Sequence, residues 1–470
     1  MTCSAWVSPE EGCADRGRQL ELAGPERAAG VDGAAGRQLG DPAHPHPTRV
    51  RESNGEPQVG YLELLRTNAN VRRIWGGAIV SNFGDWFNTL ALYRVVLDLS
   101  GSEMALGAVF LTKLLPLALA SPLAGVIVDR VNRKRLMIGS DLVRAVIVLG
   151  FLFIDDASDL WLLYVLAAAQ IVVSSVFIPA KNAVLPNIAS PRELLTANAL
   201  LSATWSVMLA VGAAAGGFAV DAFGVEAVFI FDAGTYLLSA VILARLTVPP
   251  RVPEAATGSV VGAAARQIAA GWRYLQRRPE VGRMAFAKAT WGLGGGGLVL
   301  ALTLVGDQLF PGGSTAGIGI LFAARGAGTG LGPILGRALF RDERQWPVVL
   351  GVCVMLSGLG YVAIALLSSW AALVVGLVVM AHAASGANWV FSTTLLQQRA
   401  EDTYRGRVFA TDWLMVTIVE SVSILVASAL LERGMALEWV ILGLAGTQVV
   451  SGLIWMMTVV PAERRREALA

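Results

Sequence analysis

The sequence predicts an all-α membrane protein of twelve transmembrane helices arranged as two six-helix pseudo-repeats. Three observations predict it. Apolar residues make up 55% of the 470 and charged residues 15%, with a mean hydropathy of +0.59, where a soluble domain carries about 25% charged residues. Apolar runs long enough to cross a hydrocarbon core of about 30 Å recur down the chain after residue 73. Basic residues gather on alternate connections between those runs, the asymmetry that orients multi-pass proteins.

Residues 1–60 are polar and rich in Gly, Pro, Arg and acids. Without an apolar period they read as a disordered cytoplasmic tail, and without a hydrophobic segment they are no signal peptide. The twelve runs are 74–98, 104–128, 136–154, 160–182, 195–220, 225–247, 284–306, 315–337, 347–368, 371–396, 409–431 and 437–460. Barrel strands are excluded, because they would be about ten residues long with two-residue alternation.

"GVIVDRVNRKR", Gly125 to Arg135, sets four bases and one acid between the second and third runs. Other bases fall at Arg66, Arg72 and Arg73 before span 1, Lys181 and Arg192 after span 4, and Arg266 to Arg283 after span 6. Arg341 and Arg344 follow span 8, Arg399, Arg405 and Arg407 follow span 10, and Arg464 to Arg466 lie beyond span 12. The opposite connections hold a single base, Arg433, so both termini are expected in the cytoplasm. The longest internal connection, 248–283, divides an N-terminal bundle (61–247) from a C-terminal bundle (284–462) and a tail at 463–470. Within it "IAAGWRYLQRR" puts Ile268, Trp272 and Leu275 on one helical face and Arg273 and Arg277 opposite, the pattern of a helix lying on the membrane surface.

The halves echo each other. Placing residues 106–122 over 318–334 matches Gly107 to Gly319, Phe110 to Phe322 and Lys113 to Arg325, a base at the same depth of spans 2 and 8. Duplicated halves with corresponding features are expected of transporter folds.

Gly125, Asp129, Arg130, Arg133 and Lys134 resemble the loop 2-3 signature of the major facilitator superfamily. "SNFGDW", "DLVR", "FIPAKNAVLPN", "ELLTANALLSA" and "LLQQRAEDTYRGRV" resemble its third group of drug:proton antiporters, which includes macrolide efflux proteins and the enterobactin exporter. The resemblance runs from about residue 65 to 462. It implies export of an amphipathic small molecule in exchange for protons. It also implies a conformational latch formed by Gly125, Asp129, Arg130, Arg133 and Lys134 with Asp141, Arg144, Arg405 and Arg407. One departure weakens the antiport implication: the Gly-Pro pair usual in span 5 is Gly212-Ala213 here.

Ionisable residues at half depth are the sharper sign, since each costs about 2.5–3.5 kcal/mol at a helix centre. Asp85 lies about 18 Å in from Arg73 at 1.5 Å per residue, and Lys113, Arg325 and Glu420 fall at similar depth. Asp85 and, second to it, Glu420 are the proton-coupling candidates. A proton moved down about 100 mV supplies ~2.3 kcal/mol, roughly a fiftyfold gradient of a neutral solute. Asn82 and Asn88 share a polar stripe with Asp85 and, with Lys113, Arg325, His382 and Trp389, are candidates for a substrate cavity. A structural account stands beside this one, in which Asp85 pairs with Lys113 and Glu420 with Arg325. His382 has the further reading of a packed, hydrogen-bonded core residue, and Trp389 that of core or interfacial packing.

Several chemistries are excluded. Cys3, Cys13 and Cys353 match no metal or disulfide spacing. "GLGGGG" in span 7 follows no strand and reads as a close-packing segment, and no phosphate-binding G-x-x-x-x-G-K-[ST] run occurs. The expectation is a non-enzymatic monomer without metal or cofactor, in a bacterial inner membrane, whose partners are a small-molecule substrate, protons and lipid, and not nucleic acid. A uniporter or importer of a metabolite or lipid is the alternative, and a non-transporting sensor or scaffold the alternative of another class.

Overall fold

The computed structural model describes residues 59–249, 260–309, 313–367 and 370–469. The N-terminal tail and the middle of the long connection lie outside these residues. Among the described residues there are helices and no strands. Each predicted span finds a helix, with boundaries set by local chemistry.

A short α1 (Tyr61–Thr67) leads into α2 (Ala69–Ser100), which is span 1. Asn68 caps α2 by accepting from the N–H groups of Asn70 and Val71, and Gly101 in the left-handed region ends it. Ser102 caps α3 (Glu103–Arg130) and Asn132 caps α4 (Arg133–Leu149) in the same way. Span 4 comes in two pieces, α5 (Leu160–Ser174) and α6 (Phe177–Ile188). A reciprocal Ser190/Glu193 cap opens α7 (Pro191–Ala244), which contains both span 5 and span 6. The predicted loop between them is a corner at Gly224, whose φ of 80° is open to a residue without a Cβ.

The second half runs through α9 (Pro279–Gln308), α10 (Thr315–Leu339), α11 (Trp346–Leu367), α12 (Ala371–Arg399), α13 (Asp402–Glu432) and α14 (Leu437–Leu469), after the connecting α8 (Val260–Arg277). Ten helical segments are apolar and long enough to cross a membrane on composition alone. α7 holds two spans in one of them, and α2 is missing from them because of the polar residues along it. The twelve-helix reading therefore stands.

Small residues let the halves approach. On α10, Gly319 and Gly326 lie against the backbone of Ala213 and Ala210 of α7, so close that a Cβ on either would sit about 2.5 Å from a main-chain atom. Gly328, Gly332 and Gly336, on another face of α10, admit Val379, Ala383 and Phe391 of α12. The span 7 glycines do the same, with Gly294 against Leu444 and Gly296 against Glu420 main chain.

The connecting helix is anchored on the second half. α8 packs along α13, with Thr411 donating to the Ile268 carbonyl and Gly271 against Arg407. Its buried side is Gly271, Tyr274 and Leu275, and Trp272 is exposed beside Phe286. Tyr274 decides the rotation: it stacks on Tyr404 at 4.6 Å and accepts from the Glu401 N–H.

Candidate functional site

Two cavities lie at half depth. One, of ≈ 200 Å³, sits between the halves, with Trp86, Lys113, Trp291, Phe322, Arg325 and Glu420 in its wall. The other, of ≈ 180 Å³, lies within the first half and is lined by Asn82, Asp85, Thr89, Lys113, Gln170 and Trp205 among others. Trp86 and Lys113 belong to both. A larger apolar groove of ≈ 490 Å³ runs between α9 and α14 past Phe286 and Ile454. Its one ionisable residue, Arg283, is held by Glu463 at 2.7 Å, so it offers no convergent polar chemistry.

Asp85 is the hub of the first half. Its side chain is 39% exposed toward the smaller cavity, and the Tyr236 hydroxyl donates to its carboxylate. Arg144 stands 3.8 Å from the same oxygen. Arg144 in turn pairs with Asp141, which also accepts from Ser239 at 2.7 Å, and its guanidinium lies 4.3 Å over the Tyr236 ring. Gln170 donates to the Tyr236 hydroxyl at 3.0 Å. A carboxylate with water on one side and a buried donor and cation on the other has two alternative environments. Asp232 lies behind it, fully buried, with Thr235 as its hydroxyl partner.

The Asp85–Lys113 pair of the structural account does not form. Lys113 donates instead to Thr89 at 2.5 Å, and Thr89 donates to the Asp85 carbonyl at 2.6 Å. The Glu420–Arg325 pair is not made either: among the described residues neither side chain has a hydrogen bond or an ion pair, and both face the central cavity.

Three cavity candidates lie elsewhere. Asn88 is buried in α2 away from both cavities, with no partner for its amide. His382, 1% exposed, bonds to Tyr361 at 2.8 Å and Ser385 at 3.3 Å, which is the packed core reading. Trp389 stands edge-on to Trp413 and lies 5.2 Å from the Lys288 amine. That amine forms a buried 2.5 Å ion pair with Asp412, a partner the sequence reading missed. An acid within the apolar stretch "FATDWLMV" was the available signal.

The contacts described for the latch residues fall in several places. Arg133 donates to the Ala183 carbonyl at 2.8 Å, and Asp141 and Arg144 belong to the Asp85 network. Arg405 pairs with Asp402 one turn away, and Arg407 lies over Tyr404. A Cβ on Gly125 would meet open space. The Asp129 side chain lies outside the described part of the structure, and Lys134 is half-buried in the first turn of α4.

Cross-half polar contacts collect at the end of the bundle away from Tyr61 and Leu469. Arg94 meets Asp307 at 3.2 Å, Glu432 accepts from Ser102 and from the Met104 N–H, and Asp221 accepts from Ser314 and the N–H groups of Thr315 and Ala316. The last three donors open α10, so a carboxylate sits where the helix presents unpaired N–H groups. The α7/α10 seam continues to Ser206 and Gly330. One turn further, Ser202 and Ile334 are both exposed, Ile334 at 67%.

The two halves thus meet in polar contacts at one end and in charged cavities at half depth. Residues 74–419 match the Major Facilitator Superfamily, and the chain belongs to that superfamily. The chain is 31% identical to the uncharacterized MFS-type transporter YfiS of Bacillus subtilis, over 46% of its own length and 51% of that relative. It is 34% identical to the putative bacilysin exporter BacE of Bacillus subtilis over 27% of itself and 31% of BacE. The matches to these first relatives thus span about half their length or less. Macrolide efflux protein A of Streptococcus pyogenes is 22% identical over 80% of this chain and 92% of that one. Among solved structures, a peptide transporter of the POT family in complex with alafosfalin superposes with a TM-score of 0.69 at 14% identity, covering 87% of this chain and 97% of the other. A bacterial homolog of the lysosomal transporter Spinster, inward-facing and unoccupied, gives 0.61 at 16% identity over 84% and 96%. At such identities these speak for the fold.

Proposed function

We propose that this protein is a secondary active exporter that moves an amphipathic small molecule against protons by alternating access in a bacterial inner membrane. Both termini lie in the cytoplasm on this reading, so the end joined by the cross-half contacts faces outward. The observation that carries it is the position of Asp85, with an open cavity at one side of its carboxylate and Tyr236 and Arg144 at the other. A proton taken up by Asp85 releases Arg144 to Asp141 alone, and loss of that proton restores the contact. Two relatives named as exporters, a macrolide efflux protein and a putative bacilysin exporter, support the outward direction. Loop 2-3 is the latch of the alternate state, in which the open space beside Gly125 would be filled.

Proteoliposomes test this directly. An imposed proton gradient drives accumulation of substrate by the native protein, and an uncoupler abolishes it. Asp85→Asn retains binding and loses gradient-driven transport; full coupling in that variant removes Asp85 from the mechanism, and transport indifferent to the uncoupler favours a uniporter.

A further inference from the structure

We infer that the central cavity is built for a compact zwitterion, a carboxylate beside a protonated amine, of the size of an amino acid or short peptide. This rests on reading the cavity as the transport site.

The bases make the first argument. Arg325 enters the cavity from α10 with no hydrogen bond or ion pair among the described residues, and its Nε is buried without a partner. Its guanidinium lies 5.6 Å from the Phe322 ring. Lys113 enters from α3 of the other half and donates to one hydroxyl, Thr89, leaving two of its three donors free. Cations away from bulk water are costly unless an anion answers them. A carboxylate between the two gains charge-assisted bonds from both halves at once, and a guanidinium fork fits that geometry in particular.

Glu420 makes the second. It is the acid in the same wall, it comes from α13, and it makes no hydrogen bond or ion pair among the described residues. An ammonium satisfies it. With two bases and one acid, the wall repels a simple cation and accepts a solute bearing both signs. Asp85 lines the neighbouring cavity, where Tyr236 and Arg144 occupy it.

Size and walls complete the argument. At ≈ 200 Å³ the cavity is smaller than the roughly 300–1,000 Å³ that hold drug-sized ligands. Trp86, Tyr93, Phe110, Trp291 and Phe322 surround the charges, which suits an apolar or aromatic side chain on the zwitterion.

The full chain in lipid nanodiscs, titrated without any gradient, tests the inference through tryptophan fluorescence, since Trp86 and Trp291 line the site. The probes are alanyl-phenylalanine, its C-terminal amide, its N-acetyl form and tetraphenylphosphonium. The dipeptide binds, amidation weakens it at least about tenfold, acetylation weakens it less, and tetraphenylphosphonium binds worst. Arg325→Gln abolishes the preference for the free acid over the amide, and Arg325→Lys keeps part of it. Equal binding of acid and amide, tightest binding of tetraphenylphosphonium, or binding of no probe overturns the inference. Should Arg325→Gln not fold, the four probes on the native protein decide alone. Dipeptide binding without proton-coupled transport would defeat the proposed function and spare this inference; proton-coupled export of tetraphenylphosphonium with no dipeptide binding would do the reverse.

Discussion

The two halves carry ionisable residues at the same depth and treat them in opposite ways. In the first half Asp85 belongs to a connected set, with Tyr236, Arg144, Asp141, Ser239 and Gln170 each touching the next. In the second half Arg325 and Glu420 stand in the cavity wall with no polar partner among the described residues, and the tightly paired ions, Lys288 and Asp412, are kept outside that wall. The contrast separates two tasks. A group that must exchange partners needs alternative partners within reach, and a group that must receive a solute needs to be left without one.

The largest effect that would break the comparison is functional. Asp85→Asn should eliminate coupling, and Glu420→Gln should leave the stoichiometry of protons per substrate intact while raising the substrate concentration needed. If Glu420→Gln uncouples transport and Asp85→Asn does not, the tasks are assigned the wrong way round.

Next come the buried pairs. Arg144→Met strands Asp141 and Lys288→Met strands Asp412, each an unanswered buried charge that costs about 3–5 kcal/mol. Thermal unfolding in detergent reads both, and Arg325→Met, which breaks no hydrogen bond or ion pair and takes from Glu420 only a charge across the cavity, should lose less than either. An equal loss in all three would show that Arg325 has a partner after all.

A subtler probe addresses the latch. Gly125→Leu meets open space in this state, so its melting temperature should stay within experimental error as its turnover falls. A destabilised but fully active variant would argue for a glycine needed only by the local helix. Smallest is Arg94→Ala, which removes a partly exposed bridge to Asp307; its cost should not exceed about 1 kcal/mol and should shrink with added salt.

The spans were legible because crossing lipid imposes a length and a composition that one chain reveals unaided. The polar stripe of α2 was legible too, since Asn82 and Asp85 share a helical face. Partnerships were not. Tyr236 is 151 positions from Asp85 and Asp412 is 124 from Lys288, and depth alone cannot say which of several groups at one level face each other. The structural account paired Asp85 with Lys113, and the lysine reaches Thr89 instead. Nor did periodicity show that Tyr274 of α8 would stack on Tyr404.

The glycines of α10 set the mechanics of the whole. Against α12 its main chain is so close that a Cβ at Gly332 would sit 1.9 Å from the Ala383 carbonyl, which keys the two together as one solid part. Toward α7 the facing residues are mostly small, Ala210, Ala213 and Gly217, with the Leu209 side chain against Gly326. Such a surface acts as a nearly plain bearing, on which one half can tilt over the other with little more than that leucine to turn aside.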